Sequence, residues 1–210
     1  MKKDARLILA LDVTSRKRAL SLVGLLDCYF DAVKVGYPLI LSSGLEIVKE
    51  ISAFAPVIAD LKIADIPNTN RLISEAALNA GAEGLIAHVF PGSDSLKACV
   101  ESAAAFGAQV YAVTEMSHPG AEEFMAPIAG ELARLAVESG ADGVVAPATR
   151  PERIRMIRSI VGNKIIISPG VGIQGGSARD SLQAGADYVI VGRSVTSAED
   201  PVASLKRLMP

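Results

Sequence analysis

The 210-residue chain has no tryptophan, two cysteines, 4% aromatic residues and almost no charge imbalance, and each scarcity removes a class of explanation. Cys28 and Cys99 make neither a disulfide framework nor a metal-ligand spacing in a chain of this length, so both read as small buried hydrophobes. A net charge of -2 and a pI near 5.7 leave no basic footprint for a nucleic-acid partner. No apolar run approaches the roughly 20 residues of a membrane-spanning helix. The start Met1-Lys2-Lys3-Asp4-Ala5-Arg6 leads into a strand pattern without a signal-peptide cleavage site, so a cytoplasmic protein is expected. No Gly-x-Gly-x-x-Gly follows the first strand pattern, which runs into Asp12-Val13-Thr14-Ser15; this counts against a doubly wound dinucleotide fold.

What is present is hydrophobic and repetitive. Half the residues are apolar, enough for one substantial core and too few for two generous domains, so residues 1–210 are read as a single domain. Ala80-Gly81-Ala82-Glu83-Gly84, Ser139-Gly140-Ala141-Asp142-Gly143 and Ala184-Gly185-Ala186-Asp187-Tyr188 repeat one device: a glycine stops a helix, and a β-branched run then starts a strand. Helical patterns precede them, as at Arg71 to Asn79 and Glu131 to Glu138. Strands are expected at Arg6 to Asp12, Ala32 to Val35, Val57 to Leu61, Leu85 to His88, Gln109 to Thr114, Gly143 to Ala146, Lys164 to Ser168 and Tyr188 to Val191. Eight βα units close an α/β fold of the (β/α)8 TIM-barrel type.

Charge gathers at the ends of the first three strands. In Val57-Ile58-Ala59-Asp60-Leu61-Lys62-Ile63-Ala64-Asp65, alternation puts Ile58, Asp60 and Lys62 on one face and Val57, Ala59 and Leu61 on the other. Helices covering the wholly apolar face would turn Asp60 and Lys62 into the barrel, at the strand end where such barrels carry their chemistry. Asp12 crowns the inner face of the first strand and Lys34 that of the second. Asp12, Lys34, Asp60 and Lys62 therefore meet at one rim, where acids and bases in contact perturb one another's pKa as working sites require. A cross-face ion pair at a sheet edge is the plain alternative reading of Asp60 and Lys62.

The later loops suit an anion. Strand seven runs into Ser168-Pro169-Gly170-Val171-Gly172-Ile173-Gln174-Gly175-Gly176, a glycine-rich lid, and strand eight into Gly192-Arg193. These are the two loops that bind phosphate in this barrel class. Thr114-Glu115-Met116-Ser117-His118-Pro119-Gly120 follows strand five. His118 is read as structural or solvated, and His88 as a satisfied interior histidine.

Taken in order, these motifs resemble the orotidine 5'-phosphate decarboxylase family, and most closely its compact archaeal members. The likeness runs through Leu9-Ala10-Leu11-Asp12, Lys34-Val35-Gly36, Asp60-x-Lys62-x-x-Asp65-Ile66-Pro67-Asn68-Thr69, Met116-Ser117-His118-Pro119-Gly120, Pro169-Gly170-Val171-Gly172 with Gln174, and Gly192-Arg193, nearly the whole chain. The resemblance implies decarboxylation of orotidine 5'-monophosphate without metal or organic cofactor. It makes Lys62 the proton donor to the ring carbon that loses carbon dioxide and sets Asp60 beside the substrate carboxylate, with Lys34 and Asp65 completing the array. It assigns the ribose hydroxyls to Asp12 and Lys34, the pyrimidine to Ser117, and the phosphate to Gln174 and Arg193, with Pro169 and Gly192 also lining the substrate. It further implies a homodimer in which Asp65, Ile66 and Thr69 enter the partner subunit's site.

Two other readings compete. A magnesium-dependent sugar-phosphate decarboxylase or aldolase of the same superfamily shares Asp-x-Lys-x-x-Asp but carries a glutamate ligand where this chain has Lys34, and a lysine repels a divalent cation. A non-catalytic phosphate-binding barrel is the other, since fold alone does not establish activity.

Overall fold

A computed structural model describes residues 5–209, so Met1 to Asp4 and Pro210 lie outside the described residues. Strands β1 (Leu7–Ala10), β2 (Ala32–Gly36), β3 (Val57–Ile63), β4 (Gly84–His88), β5 (Gln109–Val113), β6 (Gly143–Val145), β7 (Ile165–Pro169) and β8 (Tyr188–Val191) pair in parallel in chain order, and β8 returns to β1 to close a barrel. Around it run α1 (Arg16–Leu26), α2 (Tyr37–Ser43), α3 (Ile47–Ser52), α4 (Pro67–Asn79), α5 (Ser93–Ala105), α6 (Ala121–Glu138), α7 (Pro151–Val161), α8 (Ala178–Gln183), α9 (Arg193–Thr196) and α10 (Pro201–Leu208). This is the expected (β/α)8 barrel. Among the described residues no helix is long and apolar enough to cross a membrane.

Alternation along the strands builds two cores. Leu7, Leu9, Val33, Val35, Val57, Ala59, Leu61 and Ile63 face outward and are buried under the helices. Ile8, Ala10, Ala32, Ile58, Ile86, Val113, Val145, Ile167 and Ile190 fill the barrel from inside. Each fully buried aliphatic side chain of this kind contributes about 1.5–3 kcal/mol relative to exposure. Tyr111 and Tyr188 lie in the inner core, and glycine makes room for the first of them: a Cβ on Gly143 would stand 2.9 Å from the Tyr111 ring and 2.5 Å from the Ile165 carbonyl oxygen.

The repeated helix stops hold, with Gly81, Gly140 and Gly185 all at positive φ. The expected helices are the C-terminal portions of longer ones. Pro67 opens α4, where a missing N–H costs nothing, and Pro127 lies inside α6 without ending it. β1 ends at Ala10 rather than Asp12, although the Leu11 N–H still reaches the Lys34 carbonyl at 2.9 Å. β3 runs two residues beyond Leu61, and there the backbone does something that alternation does not reveal.

Candidate active site

Ala59 pairs with Leu85 and Ile63 with Ala87, so four steps along β3 match only two along β4. The extra residues form a bulge that re-aims the strand end. Lys62 sits in it at φ 41°, a left-handed conformation rare for a residue with a Cβ, and the Tyr37 hydroxyl donates to the adjacent Leu61 carbonyl. Such backbone costs about 1–3 kcal/mol and persists where the surroundings enforce it.

The bulge sets Lys62 against Asp60. The Lys62 ammonium lies 2.8 and 2.9 Å from the two Asp60 carboxylate oxygens. Lys34, from the inner face of β2, stands 2.7 Å from Asp60 and 3.5 Å from Asp12. Lys34 and Asp60 are buried, with side chains 9% and 6% exposed, whereas Asp12 and Lys62 are open to the cavity. Burial alone would push the Asp60 carboxyl up, but Lys34 and Lys62 outweigh it and hold the group below the usual carboxylate range. Burial also works against the Lys34 ammonium, and Asp60 and Asp12 reverse that and raise it above the ordinary lysine value. Lys34 and Asp60 thus hold one another in their charged forms. Gly36 leaves it space, since a Cβ there would stand 3.1 Å from Asp12 Oδ1.

These groups form one wall of a cavity of about 680 Å³ at the C-terminal ends of the strands. Its floor is apolar, from Ala10, Ile86, Val113, Val145 and Ile190. Pro169, Gln174, Gly192 and Arg193 line the side formed by β7 and β8, and Ser117 comes from the loop after β5. The Ser117 hydroxyl donates to Gln174 Oε1 at 2.7 Å, so the glycine-rich lid is latched across the mouth. Inside the lid, Gly172 N–H reaches the Gly176 carbonyl and Gly176 N–H that of Gly170, both at 3.0 Å. Arg193 is exposed, and among the described residues its guanidinium has no carboxylate or hydrogen-bond partner and is available to an anion.

Asp65, Ile66 and Thr69 do not join this cavity within the one chain. Asp65 and Ile66 are exposed on the turn into α4. His118 does line the cavity, and the His88 imidazole is half-buried with no hydrogen-bond partner among the described residues, so it is not the satisfied histidine expected. Burial first, then Lys62, lower the His88 pKa below the ordinary value, against the pull of Asp60.

A second network had escaped sequence reasoning. Glu115 is fully buried and pairs with Arg150 at 2.9 Å and Arg153 at 2.7 Å. Arg150 also donates to the Met116 carbonyl at 2.6 Å, and Thr149 to the Ser117 carbonyl at 3.1 Å. The loop that presents Ser117 is therefore held by the loop after β6. The signal in the sequence was slight: a glutamate just past the end of the fifth strand pattern.

A strand-end cavity with an ionised wall, an apolar floor and an unpaired guanidinium opposite defines a (β/α)8-barrel enzyme for an anionic substrate. Comparison with known proteins narrows the class. The chain belongs to the orotidine 5'-phosphate decarboxylase / HUMPS family, whose model matches residues 5–208. It is 59% identical to the orotidine 5'-phosphate decarboxylase of Methanococcoides burtonii over 209 residues, covering 99% of this chain and 97% of that protein. It is 56% identical to that of Methanosarcina mazei over 202 residues, covering 96% and 92%. Among solved structures, orotidine 5'-monophosphate decarboxylase from Methanocaldococcus jannaschii in complex with the inhibitor BMP superposes with a TM-score of 0.92 at 47% identity, covering 96% of this chain and 95% of that one.

Proposed function

We propose that the array of Asp12, Lys34, Asp60 and Lys62 carries out a cofactor-free decarboxylation, and the Lys34–Asp60–Lys62 contact is the observation that carries this reading. The chain decarboxylates orotidine 5'-monophosphate to uridine 5'-monophosphate in pyrimidine biosynthesis. Breaking the bond to the carboxylate leaves its electron pair in the ring plane, where the π system delocalises it poorly. Lys62 stabilises that charge as it develops and then gives the carbon a proton, while carbon dioxide leaves. Asp60 next to the carboxylate is repulsive in the ground state and less so afterwards, and Lys34 keeps Asp60 ionised.

The apolar floor takes the pyrimidine ring and Ser117 its polar edge, with Pro169 and Gly192 lining the substrate. Asp12 and Lys34 take ribose hydroxyls, and Gln174 and Arg193 the phosphate. Binding at that remote end supports lid closure without touching the reacting carbon. Lys34 also argues against a magnesium-dependent reaction at this wall: its ammonium already stands between Asp12 and Asp60, where a divalent cation would be repelled.

A homodimer completes the site on this reading. Tyr37, Leu41, Ile66, Leu72 and Phe90 are large apolar side chains left exposed after β2, β3 and β4, on the flank that carries Asp65 and Thr69. A second copy covering that flank would receive Asp65, Ile66 and Thr69 at its own cavity. We read the chain as one catalytic domain working in the cytoplasm. Orotidine 5'-monophosphate incubated with the purified protein in EDTA, followed by ultraviolet absorbance, tests the reading. Conversion to uridine 5'-monophosphate is expected, and turnover that needs added magnesium would overturn it.

A further inference from the structure

We propose that Asn70 and Ser95 form a buried clamp that positions Asp65 for catalysis, acting through Asp65 and never touching substrate. The inference rests on the reading above in which Asp65 belongs to the charged array of a partner subunit. Asn70, on the first turns of α4, is completely buried, and Ser95, on the first turn of α5, nearly so. Asn70 Nδ2 donates to the Ser95 carbonyl at 2.9 Å and to Ser95 Oγ at 2.8 Å, while Asn70 Oδ1 accepts from the Asp65 N–H at 3.0 Å. Ser95 Oγ in turn donates to the Asp65 carbonyl at 2.9 Å. Both backbone polar groups of Asp65 are thus held by one closed polar pair.

The arrangement is more than a seam between helices. Buried amides and hydroxyls are costly unless fully bonded, and an apolar pair would join α4 to α5 without that requirement. What apolar packing lacks is direction. Asn70 and Ser95 give the Asp65 peptide a single orientation, just after the bulge that carries Lys62. The Asp65 carboxylate is then turned by one further bond, from the Ile66 N–H to Oδ1 at 2.7 Å, and among the described residues nothing else bonds it. Neither Asn70 nor Ser95 lines the cavity, so any effect on turnover must pass through the segment they hold.

A double-mutant cycle tests this, with kcat and KM for orotidine 5'-monophosphate measured on the wild type, Asp65→Asn, Asn70→Ala and the double variant. Asn70→Ala is expected to lower kcat/KM about ten- to a hundredfold, the scale of a displacement of about 1 Å at a working group. In the Asp65→Asn background the same change is expected to cost no more than about threefold, because the group it positions is already disabled. An equal loss in both backgrounds would make the clamp merely structural and overturn the inference. Full activity in Asn70→Ala beside an impaired Asp65→Asn would overturn it as well. Full activity in Asp65→Asn would instead bring down the reading of Asp65 itself, and the clamp's catalytic role with it. Ser95→Ala, which leaves the Asn70 bond to the Asp65 N–H in place, runs through the same cycle with a smaller expected loss and decides the question if Asn70→Ala fails to fold.

Discussion

Lys34→Met keeps an unbranched apolar stem and removes an ammonium 2.7 Å from Asp60 and 3.5 Å from Asp12. Because both members of the closer pair are buried, water cannot replace the lost partner, and breaking such a pair from one side costs about 3–5 kcal/mol. Asp60 retains Lys62 at 2.8 Å, which holds the loss to about 3 kcal/mol, at the lower end. For a chain of this size that lowers Tm by about 6–12 °C. Urea unfolding followed by circular dichroism, at one fixed protein concentration, measures it. The double variant Lys34→Met/Asp60→Leu leaves no uncompensated charge buried, and Lys62 is exposed enough to be hydrated, so most of the loss is expected to return. Wild-type stability in Lys34→Met, or a double variant as destabilised as the sum of the singles, would refute the reasoning.

Three further outcomes are expected. With Arg193 assigned to the phosphate as proposed, Arg193→Ala is expected to remove a charge-assisted contact worth about 1.5–3 kcal/mol and to lower kcat/KM about ten- to a hundredfold, largely through KM; steady-state kinetics that show an unchanged KM would exclude Arg193 from phosphate binding. Glu115→Ala leaves the Arg150 and Arg153 guanidiniums without their buried carboxylate and is expected to cost about 3–5 kcal/mol in chemical denaturation, with disturbed placement of Ser117; a loss under about 1 kcal/mol would contradict that role. The lowered pKa of Asp60 makes its stabilisation complete above about pH 3.9 and lost as pH falls through the lowered value, while the raised pKa of Lys34 makes its contribution complete below about pH 10.4 and lost as pH rises through the raised one. Urea midpoints are therefore expected to be flat between about pH 7 and 9 as far as these two groups are concerned, and a fall within that window that disappears in Lys34→Met would contradict the direction given for Lys34. Below about pH 6.5 the lowered pKa of His88 acts in the same direction as that of Asp60, and stability is lost as pH falls toward the lowered value.

Period-two alternation made the barrel and most of its rim legible. Once Leu7, Leu9, Val57, Ala59 and Leu61 were read as the helix-covered face, Asp12, Lys34, Asp60 and Lys62 had to point inward. The bulge at Lys62 was hidden because two extra residues preserve the same alternation, so a regular and a bulged strand have identical patterns. Glu115 with Arg150 and Arg153 was hidden for a different reason: its partners are 35 and 38 residues away, and only the packing of neighbouring βα units brings them together. The same holds for Asn70 and Ser95, 25 residues apart on neighbouring helices. Asp65 was found by motif rather than by pattern, and it lies on an exposed turn outside the cavity of its own chain.

The most direct test of the central claim is single-turnover decarboxylation of orotidine 5'-monophosphate by the wild type and by Lys62→Ala, each in EDTA and each shown to bind uridine 5'-monophosphate. If Lys62 stabilises the carbanion and protonates it, the wild type converts its bound substrate and Lys62→Ala binds product but shows no detectable conversion. Near-normal turnover by Lys62→Ala would contradict the account and move the proton donor elsewhere in the cavity.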